Sequence, residues 1–223
     1  MVQCVRCGES LGFEGRDEDQ TCTPCRAVPP DFEEARAFGI YTAEMRALIH
    51  LMKYENMPAM AEALAPMLAE AALDLRNAPA EMTVIAVPLF RRKRPFNQSE
   101  RIADHAIRML AKRKPEWTLH RAHLLLKRTR NTTSQFGLSP RQRRLNLRGA
   151  FEVRQPGQIN GKHILLVDDI YTTGATAREC SRVLMRAGAA SVRVVTLARA
   201  QKLTATLWQP PQHLHPPSRS YLN

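Results

Sequence analysis

Long apolar runs are missing from this 223-residue chain. No stretch reaches the roughly 18 to 20 apolar residues that a membrane helix requires. The N-terminus meets Cys4, Arg6 and Cys7 before a signal-peptide core can form. A soluble cytoplasmic chain without a membrane span is the expectation. Aromatic residues make up only 6% of the sequence, so stacking platforms for single-stranded nucleic acid are few. The Gly-x4-Gly-Lys-Ser/Thr spacing is absent, which excludes a Walker A nucleotide loop. Cysteines number five, four of them in the first 25 residues, and this odd, clustered set argues against a secreted disulfide framework. Seven histidines are present, but none has the spacing of a metal site or catalytic triad. His50, His105 and His123 read as surface or hydrogen-bonded interior residues.

Acidic residues are scarce in one segment. Between Arg91 and Arg148 stand 17 of the 33 Lys and Arg residues but only 3 of the 21 Asp and Glu, leaving 16 and 18 elsewhere. The whole net charge of +12 therefore lives in that segment. A focused positive field attracts polyanions, whether nucleic acid, pyrophosphate or an anionic membrane face, and its sign does not choose among them.

Cys4-Val5-Arg6-Cys7 and Cys22-Thr23-Pro24-Cys25 are two C-x-x-C pairs with 14 residues between them. Each pair can turn two thiolates toward one point. Four thiolates in tetrahedral array suit zinc and leave no position for a reacting water, so Cys4, Cys7, Cys22 and Cys25 are read as ligands of a structural zinc. Metal binding would also supply the folding free energy that residues 1–30, with no amphipathic period, lack. A redox pair and an iron–sulfur cluster are the weaker alternatives. Cys180 falls on the apolar face of a predicted helix and reads as a core residue.

Met45, Leu48, Ile49 and Met52 recur at helical spacing, and Pro58 opens a second helix reaching about Arg76. Met82 to Val87 is a β-rich run ended by Pro88. After a basic loop, Asn97 and Glu100 stand in capping relation ahead of a helix faced by Ile102, Ala106 and Leu110. Leu124 to Leu126 suggests a short strand, and Asn131 to Arg148 a long mobile loop. His163 to Asp168 is a buried-type strand, Asp169 to Gly174 a turn, Ala175 to Ala187 a helix stopped by Gly188, and Val192 to Leu197 a strand. Strand, helix and strand in so short a span make a βαβ unit and hence a parallel sheet. Beyond Gln201 the Pro-, His- and Gln-rich residues suggest a disordered tail.

The most informative run is Ile164-Leu165-Leu166-Val167-Asp168-Asp169-Ile170-Tyr171-Thr172-Thr173-Gly174-Ala175-Thr176. An apolar strand delivers two carboxylates to the carboxyl edge of a parallel sheet, where open α/β folds bind ligands. The chain then passes through hydroxyl residues and a glycine into a helix N-terminus, whose free N–H groups and dipole favour phosphate. Carboxylates on one side and a phosphate cradle on the other describe a site for a sugar phosphate. The carboxylates can accept from ribose hydroxyls and help hold a hydrated magnesium ion.

This run resembles the phosphoribosyl-pyrophosphate signature of type I phosphoribosyltransferases. The wider chain, over about residues 1–199, resembles the ComF/GntX-like family of competence-associated homologues of those enzymes. The likeness also includes the cysteine pairs, Lys53-Tyr54, Val87-Pro88, Phe96-Asn97-Gln98-Ser99-Glu100, Arg128 with Gln135, and Arg144 with Asn146. It implies an α/β parallel-sheet phosphoribosyltransferase fold over residues 31–200, after a small four-cysteine zinc ribbon or finger in 1–30 and before a tail in 201–223. It also implies ribose contacts and candidate catalytic roles for Asp168 and Asp169. A 5-phosphate cradle would be formed by Thr172, Thr173, Gly174, Ala175 and Thr176, and the loop bearing Arg94 and Asn97 would face the pyrophosphate. In such enzymes a nitrogen nucleophile displaces pyrophosphate from ribose C1 with magnesium present, under a mobile loop. Pro95 stands where the family pattern has glycine, and Tyr171 where an aliphatic residue is common.

Two readings follow. One is a phosphoribosyl transfer enzyme with an unidentified acceptor, for which no base-recognition element is legible. The other is a non-catalytic adaptor whose ligand site serves as sensor or structural element. Its basic face would bind single-stranded DNA, a DNA-uptake helicase or another protein partner, as the resemblance implies.

Overall fold

The computed structural model describes residues 2–11, 20–54, 58–90, 96–132 and 139–201. Its elements in chain order are α1 (Thr23–Ala27), β1 (Glu34–Ile40), α2 (Ala43–Tyr54), α3 (Pro58–Leu73), β2 (Glu81–Ala86), α4 (Gln98–Arg113), β3 (Thr118–Arg121), β4 (Leu126–Arg128), α5 (Pro140–Leu147), β5 (Phe151–Val153), β6 (His163–Tyr171), α6 (Ala175–Arg186) and β7 (Ser191–Arg199). Five strands form one sheet in the order β1-β7-β6-β2-β3, and every pairing in it is parallel. A separate antiparallel pair joins β4 to β5. No helix among the described residues is long and apolar enough to cross a membrane.

The central strands are apolar almost throughout because both sheet faces are covered. On β6, Ile164 and Leu166 point into one apolar layer and Leu165 and Val167 into the other. The first layer also holds the four paired cysteines, Phe32, Leu126, Phe151 and α6 residues Cys180 and Leu184. The second is built on α2, α3 and α4, through Ile49, Leu68 and Ile102. The cysteine segment thus shares a core with the sheet. Its backbone is stitched there by the Ala35 N–H donating to the Arg6 carbonyl (2.7 Å) and by Arg76 donating to the Val5 carbonyl (3.0 Å).

Several elements differ from the sequence reading. The strand carrying the two acids does not end at Asp168. It runs to Tyr171, because β7 continues beside it and pairs Asp168 with Thr196, Ile170 with Ala198 and Tyr171 with Arg199. The turn therefore begins at Thr172. Leu124 and Leu125 lie in a short 3-10 turn, and only Leu126 enters a strand. Asn131 to Arg148 is not one long loop. It contains α5, opened by a capping box in which Ser139 Oγ accepts from the Gln142 N–H and Gln142 Oε1 from the Ser139 N–H. Strands β1, β3 and β5 were not expected. Charged Glu34 and Arg36 hide β1 from any hydrophobic pattern, yet both are buried, paired at 2.9 Å beside Arg193 of β7. The basic loop 91–94 and the tail suggested beyond Gln201 lie outside the described residues.

Candidate functional site

At the carboxyl edge of the sheet, β6 ends beside β2, whose chain continues through the Val87 N–H donating to the Val167 carbonyl (2.8 Å). Asp168 and Asp169 stand there in succession. Asp169 is buried, and its Oδ2 accepts from Lys53 Nζ at 2.6 Å and from Gln98 Nε2 at 2.9 Å. Asp168 Oδ1 accepts from the Asp169 N–H (2.9 Å). Desolvation, reinforced by the adjacent Asp169 charge, pushes the Asp168 carboxyl up to about 7. Arg128 of β4 is mostly buried, with Nε lacking a hydrogen-bond partner among the described residues and its guanidinium 5.4 Å from the centre of the Phe151 ring. Burial pushes the Arg128 guanidinium down, and the Asp168 charge works against that shift.

The turn that follows is a cradle. Gly174 sits at φ 73°, in the left-handed region, as the N-cap of α6, and no side chain among the described residues caps that helix. The Thr173 hydroxyl is buried without a hydrogen-bond partner among the described residues. Arg143, carried in by α5, donates to Thr172 Oγ1 at 3.0 Å. Among the described residues a small cleft is lined by Asp168, Thr172, Gly174, Ala175 and Thr176, together with Val87 and Val194. An orphaned hydroxyl, an uncapped helix start and a nearby guanidinium all favour an anionic oxygen cluster.

The structure brings Asp168, Asp169, Thr172, Thr173, Gly174, Ala175 and Thr176 to one edge. Asn97 lies at the end of the loop that follows Pro88. Its Oδ1 accepts from the Ser99 N–H and caps α4, and its Nδ2 donates to the Val87 carbonyl at 3.0 Å and to Glu100. Arg94 lies outside the described residues, as does Gln135. Lys53, Gln98 and Arg143 carry contacts to the site that the sequence reading had given no role. Lys53 and Gln98 lay within family-like runs, but only the packing of α2 and α4 aims them at Asp169.

Cys4, Cys7, Cys22 and Cys25 are all buried, and their sulfurs lie within 4.8 Å of one another, Cys7 and Cys22 at 3.6 Å. Four sulfurs at about 2.3 Å from one zinc stand about 3.8 Å apart, so the set fits a closed four-thiolate centre. Among the described residues three N–H donors aim at it, as thiolates require: the Cys22 backbone to Cys4 (3.3 Å), Arg178 to Cys25 (3.5 Å) and Arg199 to Cys7 (3.6 Å). Hydrogen bonds from Cys25 and Cys7 hold the Cys4 thiol well below its usual range. His123, by contrast, is a satisfied interior residue, with Nδ1 accepting from the Ala86 N–H and Nε2 3.1 Å from Asp104.

The centre touches the phosphate-type turn through shared residues. The Arg199 guanidinium lies 4.4 Å from the centre of the Tyr171 ring, and Phe32 meets that ring edge-on at 6.3 Å. Tyr171 in turn lies against Gly174. Arg178, in the first turn of α6, also donates to the Val28 carbonyl at 2.6 Å. Tyr171 thus faces the core, where burial pushes its phenol up.

A profile of the phosphoribosyl transferase domain matches residues 127–207. The DNA utilization protein YhgH of Salmonella typhi is 32% identical over 202 residues, which span 88% of this chain and 83% of that protein. Competence protein F of Haemophilus influenzae is 29% identical over 204 residues, 88% and 84% of the two chains. Among solved structures, the glutamine phosphoribosylpyrophosphate amidotransferase of B. subtilis aligns with a TM-score of 0.41 and 20% identity, covering 66% of this chain and 30% of that one.

Proposed function

We propose a function that proceeds from one premise: this chain belongs to the ComF/GntX-like family, which includes YhgH and competence protein F and is built on a phosphoribosyltransferase-type domain. Its site binds phosphoribosyl pyrophosphate, or a related sugar phosphate such as ribose 5-phosphate. The observation that carries this reading is the pairing of two carboxylates with a cradle whose Thr173 hydroxyl is buried and unpartnered. Thr172 to Thr176 would take the 5-phosphate on backbone N–H groups and hydroxyls. Asp168 and Asp169 would accept from the ribose hydroxyls. Arg94 and its neighbours in the loop closed by Asn97 would face the pyrophosphate.

Magnesium, bound with the ligand, would neutralise the pyrophosphate. Asp168 fits a water of that hydrated ion, whereas Asp169 Oδ2 already holds an ammonium and an amide. Residues 1–30 form the zinc-binding segment in this reading, and 31–200 the ligand-binding domain.

Calorimetric titration of zinc-loaded protein with magnesium and phosphoribosyl pyrophosphate tests the assignment. Saturable binding that is lost in an Asp168→Asn/Asp169→Asn double variant is expected. A folded wild-type protein that binds nothing refutes it.

A second reading concerns the biological setting, and exposed cations favour it. Arg108 and Lys112 on α4, Arg141 and Arg144 on α5, and Arg148 after it are exposed, more charge than one pyrophosphate needs. In this reading the protein serves DNA uptake as an adaptor for single-stranded DNA or a partner such as a helicase, with the sugar-phosphate site as sensor. Its DNA affinity should fall steeply with salt, and a salt-independent affinity would remove the basic face from consideration.

A further inference from the structure

A carboxylate as buried as Asp169 needs a counter-charge close by. Lys53 supplies it. The ammonium comes from the last turn of α2, is itself mostly buried, and sits 2.6 Å from Oδ2. Gln98, fully buried in the first turn of α4, fixes the same oxygen from a second direction at 2.9 Å. Two helices from the opposite face of the sheet therefore converge on one carboxylate oxygen.

A divalent ion coordinated at that oxygen would lie about 2.1 Å from it. It would stand only about 3 to 4 Å from the ammonium, where the burial of both side chains leaves the repulsion poorly screened. Lys53 and a direct metal ligand role for Asp169 Oδ2 are mutually exclusive. This argument rests on the sugar-phosphate reading above and deepens it.

We infer that Lys53 is the resident cation of the sugar end of the site, a positioning residue that fixes the Asp169 carboxylate in place for the ribose hydroxyls. Sugar phosphates that lack a pyrophosphate then bind without a divalent ion. A metal requirement belongs to the pyrophosphate alone.

The probe is ribose 5-phosphate, titrated by calorimetry into full-length, zinc-loaded protein in magnesium-free buffer and again with magnesium added. No chelator is used, so the cysteine centre stays loaded. Wild-type affinity is expected to change by less than about threefold on adding magnesium. Lys53→Met is expected to bind at least about tenfold more weakly without magnesium and to recover part of that loss with it, while Lys53→Arg stays within about threefold of wild type. A role in folding alone would not respond to magnesium, and that response is the discriminating readout, since arginine would restore a merely structural ion pair as well.

Wild-type binding of ribose 5-phosphate that needs magnesium overturns the role of Lys53 and leaves the sugar-phosphate reading standing. So does a Lys53→Met variant that binds like wild type without magnesium. Wild-type protein that binds neither ribose 5-phosphate nor phosphoribosyl pyrophosphate, with or without magnesium, overturns both.

Discussion

Replacing Gly174 by alanine tests how the turn is built. A methyl group there meets two costs. The backbone sits at φ 73°, which costs an L-residue about 1 to 2 kcal/mol. The new Cβ would also lie 2.2 Å from the Tyr171 hydroxyl oxygen, 2.5 Å from Cζ and 3.0 Å from Cε1. A side-chain tip can often swing away, but this ring is held by Arg199 over its face and Phe32 at its edge. Overpacking of that kind costs about 1 to 3 kcal/mol.

The sum is about 2 to 5 kcal/mol, a fall in Tm of about 5 to 20 °C for a chain of this length. Thermal melts of the zinc-loaded protein read it directly. Tyr171→Phe should not rescue the alanine, because Cζ still stands at 2.5 Å. Tyr171→Leu should, returning about 1 to 3 kcal/mol as coupling in a double-mutant cycle. A Gly174→Ala protein that melts within about 2 °C of wild type would show that the ring does not pin the turn.

Three further outcomes are expected. Asp168→Asn should stabilise the protein at pH 8 and not at pH 4. The native carboxyl titrates near 7 against 3.8 when unfolded, so the stability of the protonated form is fully present below about pH 4 and is lost as pH rises through 7. The full shift corresponds to about 4 kcal/mol, and partial solvent contact of Asp168 and coupling to Asp169 reduce the expected gain to about 1 to 2 kcal/mol. Urea unfolding at both pH values measures it, and an equal difference at the two would contradict the cause. Chelation should remove one zinc per chain and abolish the cooperative melt, since structural zinc contributes on the order of 10 kcal/mol; a chelated protein that melts like the loaded one would show that the thiols are not metal ligands. Ser139→Ala should cost α5 about 1 kcal/mol, seen as roughly fivefold faster hydrogen exchange in that helix, and unchanged exchange would mean that the capping box does not hold it.

The sequence made the middle of the sheet and the cradle legible because their signals are local. The apolar run of β6, the two acids, the hydroxyls and Gly174 lie within one short window, and the C-x-x-C spacing carries its own chemistry. What stayed illegible depends on partners far away in the chain. Strand β1 looks polar because Glu34 meets Arg36, and Glu33 meets Arg193, only once the chain has folded. The end of β6 depends on how far β7 accompanies it. Helix α5 was hidden by its charge, although the Ser139 to Gln142 box was there to be read. Lys53 could not be joined to Asp169 by any pattern along the chain, because the sheet brings together residues that spacing does not relate.

The bond from Arg199 to the Cys7 carbonyl spans 192 residues, and this fixes an order of events during synthesis. At about 5 to 20 residues per second, the four thiols leave the ribosome some 10 to 40 seconds before Arg199 does. Through that interval β7, the neighbour of β1, is incomplete, and the Arg199 guanidinium that faces Cys7 does not exist. The nascent segment must meet its metal, or remain reduced, without the layer that later shields it. Conditions that oxidise thiols or starve cells of zinc therefore act on the newborn chain, long before they can reach the finished protein.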